Sequence, residues 1–157
     1  MPRSAGIVLY RLASGALELL IGHPGGPLWA NKHEGAWSIV KGELDDKEDP
    51  LGAARREFVE ETGANVDAQA CVSLGEITQK SGKVVVAWAC PGDFDPAALL
   101  SKTFELEWPP RSGRIQEFPE LDEVRWCEPA EARQLLNPAQ TALIDRLEAL
   151  VAESSGE

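Results

Sequence analysis

Gly42-Glu43-Leu44-Asp45-Asp46-Lys47-Glu48-Asp49-Pro50-Leu51-Gly52-Ala53-Ala54-Arg55-Arg56-Glu57-Phe58-Val59-Glu60-Glu61-Thr62-Gly63 is the stretch on which the reading of this chain turns. Lys41 to Pro50 is polar and acidic and reads as irregular. From Leu51 to Thr62 the spacing becomes helical, with Leu51, Ala54, Phe58 and Val59 forming an apolar stripe. Gly63 supplies a helix stop. On that helix Glu57, Glu60 and Glu61 stand at i, i+3 and i+4, which places three carboxylates on one face. Like charges so placed repel, and they lie near the C-terminal end of the helix, where the backbone dipole already disfavours negative charge. A sequence shaped for stability alone avoids this arrangement. A hard divalent cation such as Mg2+ or Mn2+ resolves it, because such ions take carboxylate oxygens as ligands.

The rest of the chain surrounds this segment with short elements. Ala5 to Arg11 and Leu17 to Gly22 read as strands joined at the Ser14-Gly15 turn signal. His23 to Gly35 is rich in Gly and Pro and reads as a loop, and Trp37 to Val40 as a short strand. Cys71 to Ile77 and Val84 to Cys90 form a second expected hairpin around Lys80-Ser81-Gly82. Phe104 to Trp108 is a further candidate strand, followed by a loop over Pro109 to Glu117. Val124 to Cys127 is the last strand. Pro129 to Leu136 and Ala139 to Val151 read as helices. There is no repeat and no linker, so residues 1–152 are expected to form one domain, with 153–157 as a frayed tail. Short strands interleaved with helices predict an α/β fold, a mixed sheet covered by helices.

Bulk properties restrict the function. A chain of 157 residues is one ordinary domain, and its net charge of −11 argues against a nucleic-acid polymer or an anionic membrane as partner. A small polyphosphate remains compatible, since a bound divalent ion reverses the local field. Nothing approaches a membrane span or a signal-peptide core. Cys71, Cys90 and Cys127 are far apart, odd in number and set among apolar residues, so all three are expected as buried free thiols. Absence of disulfides fits a reducing compartment, and the cytoplasm is the expected location. His23 and His33 lack cysteine partners, so zinc is not expected.

The long segment also matches Gly-x5-Glu-x7-Arg-Glu-aliphatic-x-Glu-Glu-x-Gly at its seven fixed positions: Gly42, Glu48, Arg56, Glu57, Glu60, Glu61 and Gly63. In this it resembles the Nudix hydrolase family. Phe58 and Ala64 depart mildly from the pattern, and neither bears on a carboxylate. The resemblance implies an α/β/α sandwich with a mixed β-sheet and a loop-helix-loop catalytic segment. It implies Glu57 and Glu61 as metal ligands, Glu60 as a ligand or as the base that deprotonates water, and the Gly42 carbonyl as a further ligand. Arg56 would orient Glu57, and Glu48 would support the loop. A later glutamate is often added, and Glu120 is the candidate here, with Glu117 and Glu123 as alternatives. Lys41 precedes Gly42 as in dinucleoside polyphosphate hydrolases, and it is a candidate phosphate contact. Arg111 and Arg114, beside Trp108 in a polar loop, are two more.

The function so implied is Mg2+-dependent hydrolysis of a diphosphate bond, with Mn2+ as a substitute ion. The substrate would be a nucleoside triphosphate or a dinucleoside polyphosphate. ADP-ribose or nucleotide-sugar hydrolysis is the alternative within the family, and a catalytically inactive nucleotide-binding module is the alternative outside enzymology. A monomer or a homodimer is compatible with the sequence.

Overall fold

The computed structural model describes residues 3–155. Its main sheet is built on Arg3–Ala13 (β1) and Ala16–Pro24 (β2), which form the expected hairpin. The turn residues Ser14 and Gly15 both have positive φ, at 54° and 81°. That backbone matches the right-handed twist of the flanking strands. Val40–Glu43 (β3) pairs antiparallel with the first half of β1, from Ser4↔Glu43 to Ile7↔Val40. The second half of β1, from Tyr10, pairs with β2. One edge of β1 is therefore shared between two partners, and the sheet opens where they diverge.

On its other edge β1 runs parallel to Val84–Pro91 (β5), which pairs antiparallel with Val72–Thr78 (β4). Leu121–Cys127 (β8) closes the far side against β2, giving the order β4-β5-β1-β2-β8 with β3 off the path. Thr103–Glu107 (β6) and Ile115–Pro119 (β7) form a separate two-stranded sheet.

Alternation along the central strands sends side chains to two cores. Ala5, Ile7, Leu9 and Leu20 meet Ala53, Ala54 and Phe58 of helix Pro50–Thr62 (α1). Val8, Leu19, Ile21, Val85 and Ala87 meet Ala132 of Pro129–Leu135 (α2), together with Leu143, Ile144 and Leu147 of Thr141–Ser155 (α3). The result is the expected mixed sheet between helical layers.

Helix α1 begins where local chemistry allows it. Asp49 accepts a 2.9 Å bond from the Gly52 amide, Pro50 occupies the first turn, and Gly63 ends the helix in the left-handed conformation at φ 86°. Val59, expected in the apolar stripe, is exposed, and Ala53 takes its place in the core.

Four expectations need correction. The third strand is Val40–Glu43 and not Trp37–Val40, because pairing with β1 outweighs the polarity of Lys41 and Glu43. Trp37 and Ser38 make single bridges only. Ile115–Pro119 is a strand where a loop was expected, since its partner is β6 and not the main sheet. Helix α3 runs to Ser155 and not to Val151; residues 156 and 157 lie outside the described part. Finally, Cys71 and Cys90 are joined by a disulfide, leaving Cys127 as the free, buried cysteine. The register Val72↔Ala89 continues outward to bring Cys71 opposite Cys90, with Cα atoms 4.3 Å apart. That is the close approach of a non-hydrogen-bonded antiparallel pair, and counting cysteines cannot show it. The ground for expecting a reducing compartment falls with it. No helix among the described residues is long and apolar enough to cross a membrane.

The loop after β2 is tied down by His23. One ring nitrogen lies 2.7 Å from Asp122 Oδ1 and the other 2.7 Å from the Lys32 carbonyl oxygen, and the ring stacks on His33.

The disulfide is open to a direct count. Oxidised protein denatured with an alkylating reagent should take one label, on Cys127, and three after reduction. Three labels without reductant would exclude the bond.

Candidate functional site

Three pieces of chain meet on one side of the sheet. Strand β3 brings Lys41 and Gly42, α1 brings Glu57 and Glu61, and the segments entering and leaving the β6–β7 hairpin bring Lys102 and Glu120. With Ser4, Glu43 and Lys83 they line a cavity of about 380 Å³.

Gly42 and Glu57 lie against each other in its lining. A Cβ on Gly42 would overlap the Glu57 carboxyl group, so glycine is required here by proximity and not by backbone angle. Glu57 and Glu61 are almost fully buried, at 4 % and 5 % exposure. Buried carboxylates need partners, and Glu57 has them. Its Oε1 accepts from Arg56 Nη1 at 2.9 Å and its Oε2 from Lys102 Nζ at 3.3 Å.

Arg56 is the hub of the loop before the helix. Its Nε and Nη2 donate to the two oxygens of Glu48 at 2.9 and 3.1 Å, and Nη2 also reaches the Glu43 carbonyl at 3.4 Å. Nη1 further donates to Glu60 at 3.2 Å. Fork-shaped pairing of this kind fixes both position and direction. It holds the Glu48 carboxyl below the ordinary range. Glu60 is also held low, first by its 2.9 Å bond from Lys102 Nζ and then by Arg56.

Glu61 is in the opposite condition. Its buried Oε2 has no hydrogen-bond partner. Burial, together with the charges of Glu120, Glu57 and Glu60, pushes its pKa up to about 8. Lys41 is displaced the other way, down to about 8, by burial and by Lys83. A cavity with one orphaned carboxylate oxygen, two further carboxylates and the backbone of a side-chain-less residue has the donor chemistry that hard divalent cations take. The residues therefore fit a metal. Among the described residues no three acidic, histidine or cysteine side chains already converge on one point. Arg56 and Lys102 occupy the spaces between the carboxylates.

The sequence candidates separate clearly. Lys41, Gly42, Glu57, Glu61 and Glu120 line one cavity. Glu60 sits beside it, bonded to Arg56 and Lys102. Of the alternatives to Glu120, Glu117 accepts from Thr103 Oγ1 on the β6–β7 sheet, and Glu123 pairs with Arg125. Arg111 and Arg114 lie exposed in the β6–β7 turn and do not line the cavity. Lys102 was not expected. It lies in a connecting segment that carries no motif, and backbone bonds from Leu100 N to Thr62 O at 3.1 Å and from Lys102 N to Glu60 O at 2.8 Å bring that segment to the helix.

Comparison with known proteins agrees with this geometry. A family model described as the NUDIX domain matches residues 1–147. The chain belongs to the Nudix family. No curated protein sequence gives a significant match. Among solved structures, the C. elegans Ap4A hydrolase in a binary complex is 24 % identical, with 98 % of this chain and 99 % of that one covered and a TM-score of 0.64. The NUDIX domain of Shewanella oneidensis NrtR complexed with ADP ribose is 14 % identical, covering 95 % and 87 %, with a TM-score of 0.64. A mutT/nudix family protein from Listeria innocua is 16 % identical, covering 98 % and 95 %, with a TM-score of 0.63. At these identities the likeness to solved structures is one of fold.

Two outcomes follow from the packing of the glutamates. Gly42→Ala should displace the Glu57 carboxyl and lower kcat by roughly tenfold or more, as misplacement of a catalytic group does, while circular dichroism stays unchanged. Unaltered kcat would show that the contact is dispensable. The second outcome concerns pH. Folded metal-free protein keeps the Glu61 proton up to about pH 8, whereas the unfolded chain releases it near 4.5. Between those values the folded state binds more proton, so the Glu61 contribution to stability falls as pH rises. Urea midpoints measured in EDTA from pH 5 to 8 should decline for wild type and decline less for Glu61→Gln. Parallel curves would place the strain elsewhere.

Proposed function

We propose that this protein hydrolyses a diphosphate bond in a nucleotide, with a nucleoside triphosphate or a dinucleoside polyphosphate as substrate. The observation that carries the reading is the convergence of Gly42, Glu57, Glu61 and Glu120 with Lys41, Lys83 and Lys102 in one polar cavity. The Ap4A hydrolase of like fold supports the dinucleoside polyphosphate arm of the proposal.

The Gly42 carbonyl, Glu57, Glu61 and Glu120 would hold Mg2+, with Mn2+ as the alternative, and Glu60 stands at the margin of that set. Such an ion, when bound, supplies polarisation of phosphoryl oxygens and a lowered pKa for water. The remaining work falls to the chain. Arg56 holds Glu57 against Gly42 and fixes the direction of its carboxylate. Glu57 and Glu60 are the two carboxylates proposed to take the proton from attacking water. Lys41, whose ammonium is partly desolvated, meets the phosphate chain as a point charge. The four glutamates that line the cavity leave little attraction for a polymer backbone, which fits a small substrate and the chain's net charge of −11.

The test is a panel of dinucleoside polyphosphates, nucleoside triphosphates, ADP-ribose and nucleotide sugars, each with Mg2+ and with EDTA. Turnover of the first two groups that EDTA abolishes is the expected result. ADP-ribose as the preferred substrate would move the chain toward the ligand of the NrtR domain. Inactivity on all would leave the nucleotide-binding module. On the preferred substrate, Glu57→Gln and Glu60→Gln should each lower kcat on the order of 10²-fold or more, with the melting curve retained. Wild-type rates in both variants would sink the mechanism.

A further inference from the structure

Lys102 occupies a place that the catalytic reading does not explain. Its ammonium bridges Glu57 Oε2 at 3.3 Å and Glu60 Oε2 at 2.9 Å, across the surface of α1. Arg56 holds the same two carboxylates from the other side, on Glu57 Oε1 and on Glu60. The division is specific. Glu57 Oε2, the oxygen taken by Lys102, is the one that lies against Gly42. A cation that took Glu57 Oε2 as a ligand would compete with Lys102 for it.

The two cationic side chains also differ in freedom. Arg56 is fixed by bonds to Glu48, Glu43, Glu57 and Glu60. Among the described residues, the Lys102 ammonium pairs with the two glutamates alone, on a side chain that is 39 % exposed and carried on a flexible stem. Its backbone, in contrast, is pinned on both sides. Lys102 N donates to Glu60 O at 2.8 Å, and Glu120 N donates to Lys102 O at 2.9 Å. The ammonium can leave the glutamates without the main chain moving, and it then remains inside the cavity that it lines.

We propose that Lys102 is an exchangeable internal counterion. It neutralises Glu57 and Glu60 while the site lacks metal, yields Glu57 Oε2 when a divalent cation binds, and then presents its ammonium to the phosphates of the substrate. The inference rests on the metal-dependent reading of this cavity and adds an order to it. The lysine becomes available to phosphate only after metal has displaced it, so metal and phosphate binding are coupled through one side chain. Lys102 is a positioning residue in the first state and a substrate contact in the second.

The test measures binding and needs no turnover. Mn2+ is titrated into EDTA-stripped, dialysed full-length protein by calorimetry, for wild type, Lys102→Gln and Lys83→Gln. Lys83 lines the same cavity but bridges neither glutamate, so its variant reports the general effect of removing a nearby positive charge. Lys102→Gln should bind Mn2+ roughly threefold to tenfold more tightly than wild type, the scale of two partly exposed ion pairs removed from competition, and more tightly than Lys83→Gln. In EDTA it should melt below wild type, and saturating Mn2+ should raise its Tm by more than it raises that of wild type. Inorganic pyrophosphate, titrated into the Mn2+-loaded proteins, should bind Lys102→Gln more weakly than wild type. Equal Mn2+ affinity in wild type and Lys102→Gln, a gain no larger than that of Lys83→Gln, or undiminished pyrophosphate binding would overturn the counterion role while leaving the hydrolase reading intact. No Mn2+ binding to any of the three proteins would instead overturn the metal-dependent reading itself.

Discussion

The contact between Gly42 and the carboxyl group of Glu57 sets the geometry of everything around it. It exists because the first half of β1 pairs with β3 and not with β2, which lowers the backbone of Gly42 onto the face of α1. Helix α1 in turn is seated by Ala53, Ala54 and Phe58 on the β1 side chains of the same sheet. A side chain at residue 42 is excluded, so main-chain oxygen and buried carboxylate come to lie side by side. The cost of that arrangement is visible in Glu61, one turn further on, whose inner oxygen has no partner and whose proton is held far into the neutral range. Stability has been traded here for a concentration of negative charge that a hydrophobic core would not choose.

The placement of the glutamates was legible in the sequence because it is local. Glu57, Glu60 and Glu61 are spaced by the helix itself, and Asp49, Pro50 and Gly63 mark the ends of that helix without any tertiary information. The layered fold was legible for a related reason, since the hairpins at Ser14-Gly15 and around Lys80-Ser81-Gly82 are set by short turns.

What escaped the sequence depends on register and on long-range pairing. Cys71 and Cys90 are 19 residues apart, and only the alignment of β4 with β5 makes them neighbours. The third strand shifted toward Glu43 because its partner is β1, which no pattern within Trp37 to Glu43 reveals. Lys102 lies 42 residues from Glu60 in a stretch with neither motif nor periodicity, and backbone bonds of that stretch to the end of α1 deliver it. Arg111 and Arg114 showed the converse. Their composition suggested a phosphate contact, whereas the turn they occupy holds them away from the cavity.

The β6–β7 hairpin leaves the body of the protein at Lys102 and returns at Glu120, and those two residues are joined to each other by the bond from Glu120 N to Lys102 O. Both line the cavity, and residues 103–119 between them do not. The hairpin is thus clasped at its base like the handle of a vessel. Its length, tip and surface can be exchanged without moving either clasping residue, so what approaches the cavity can be reshaped while the residues that line it stay in place.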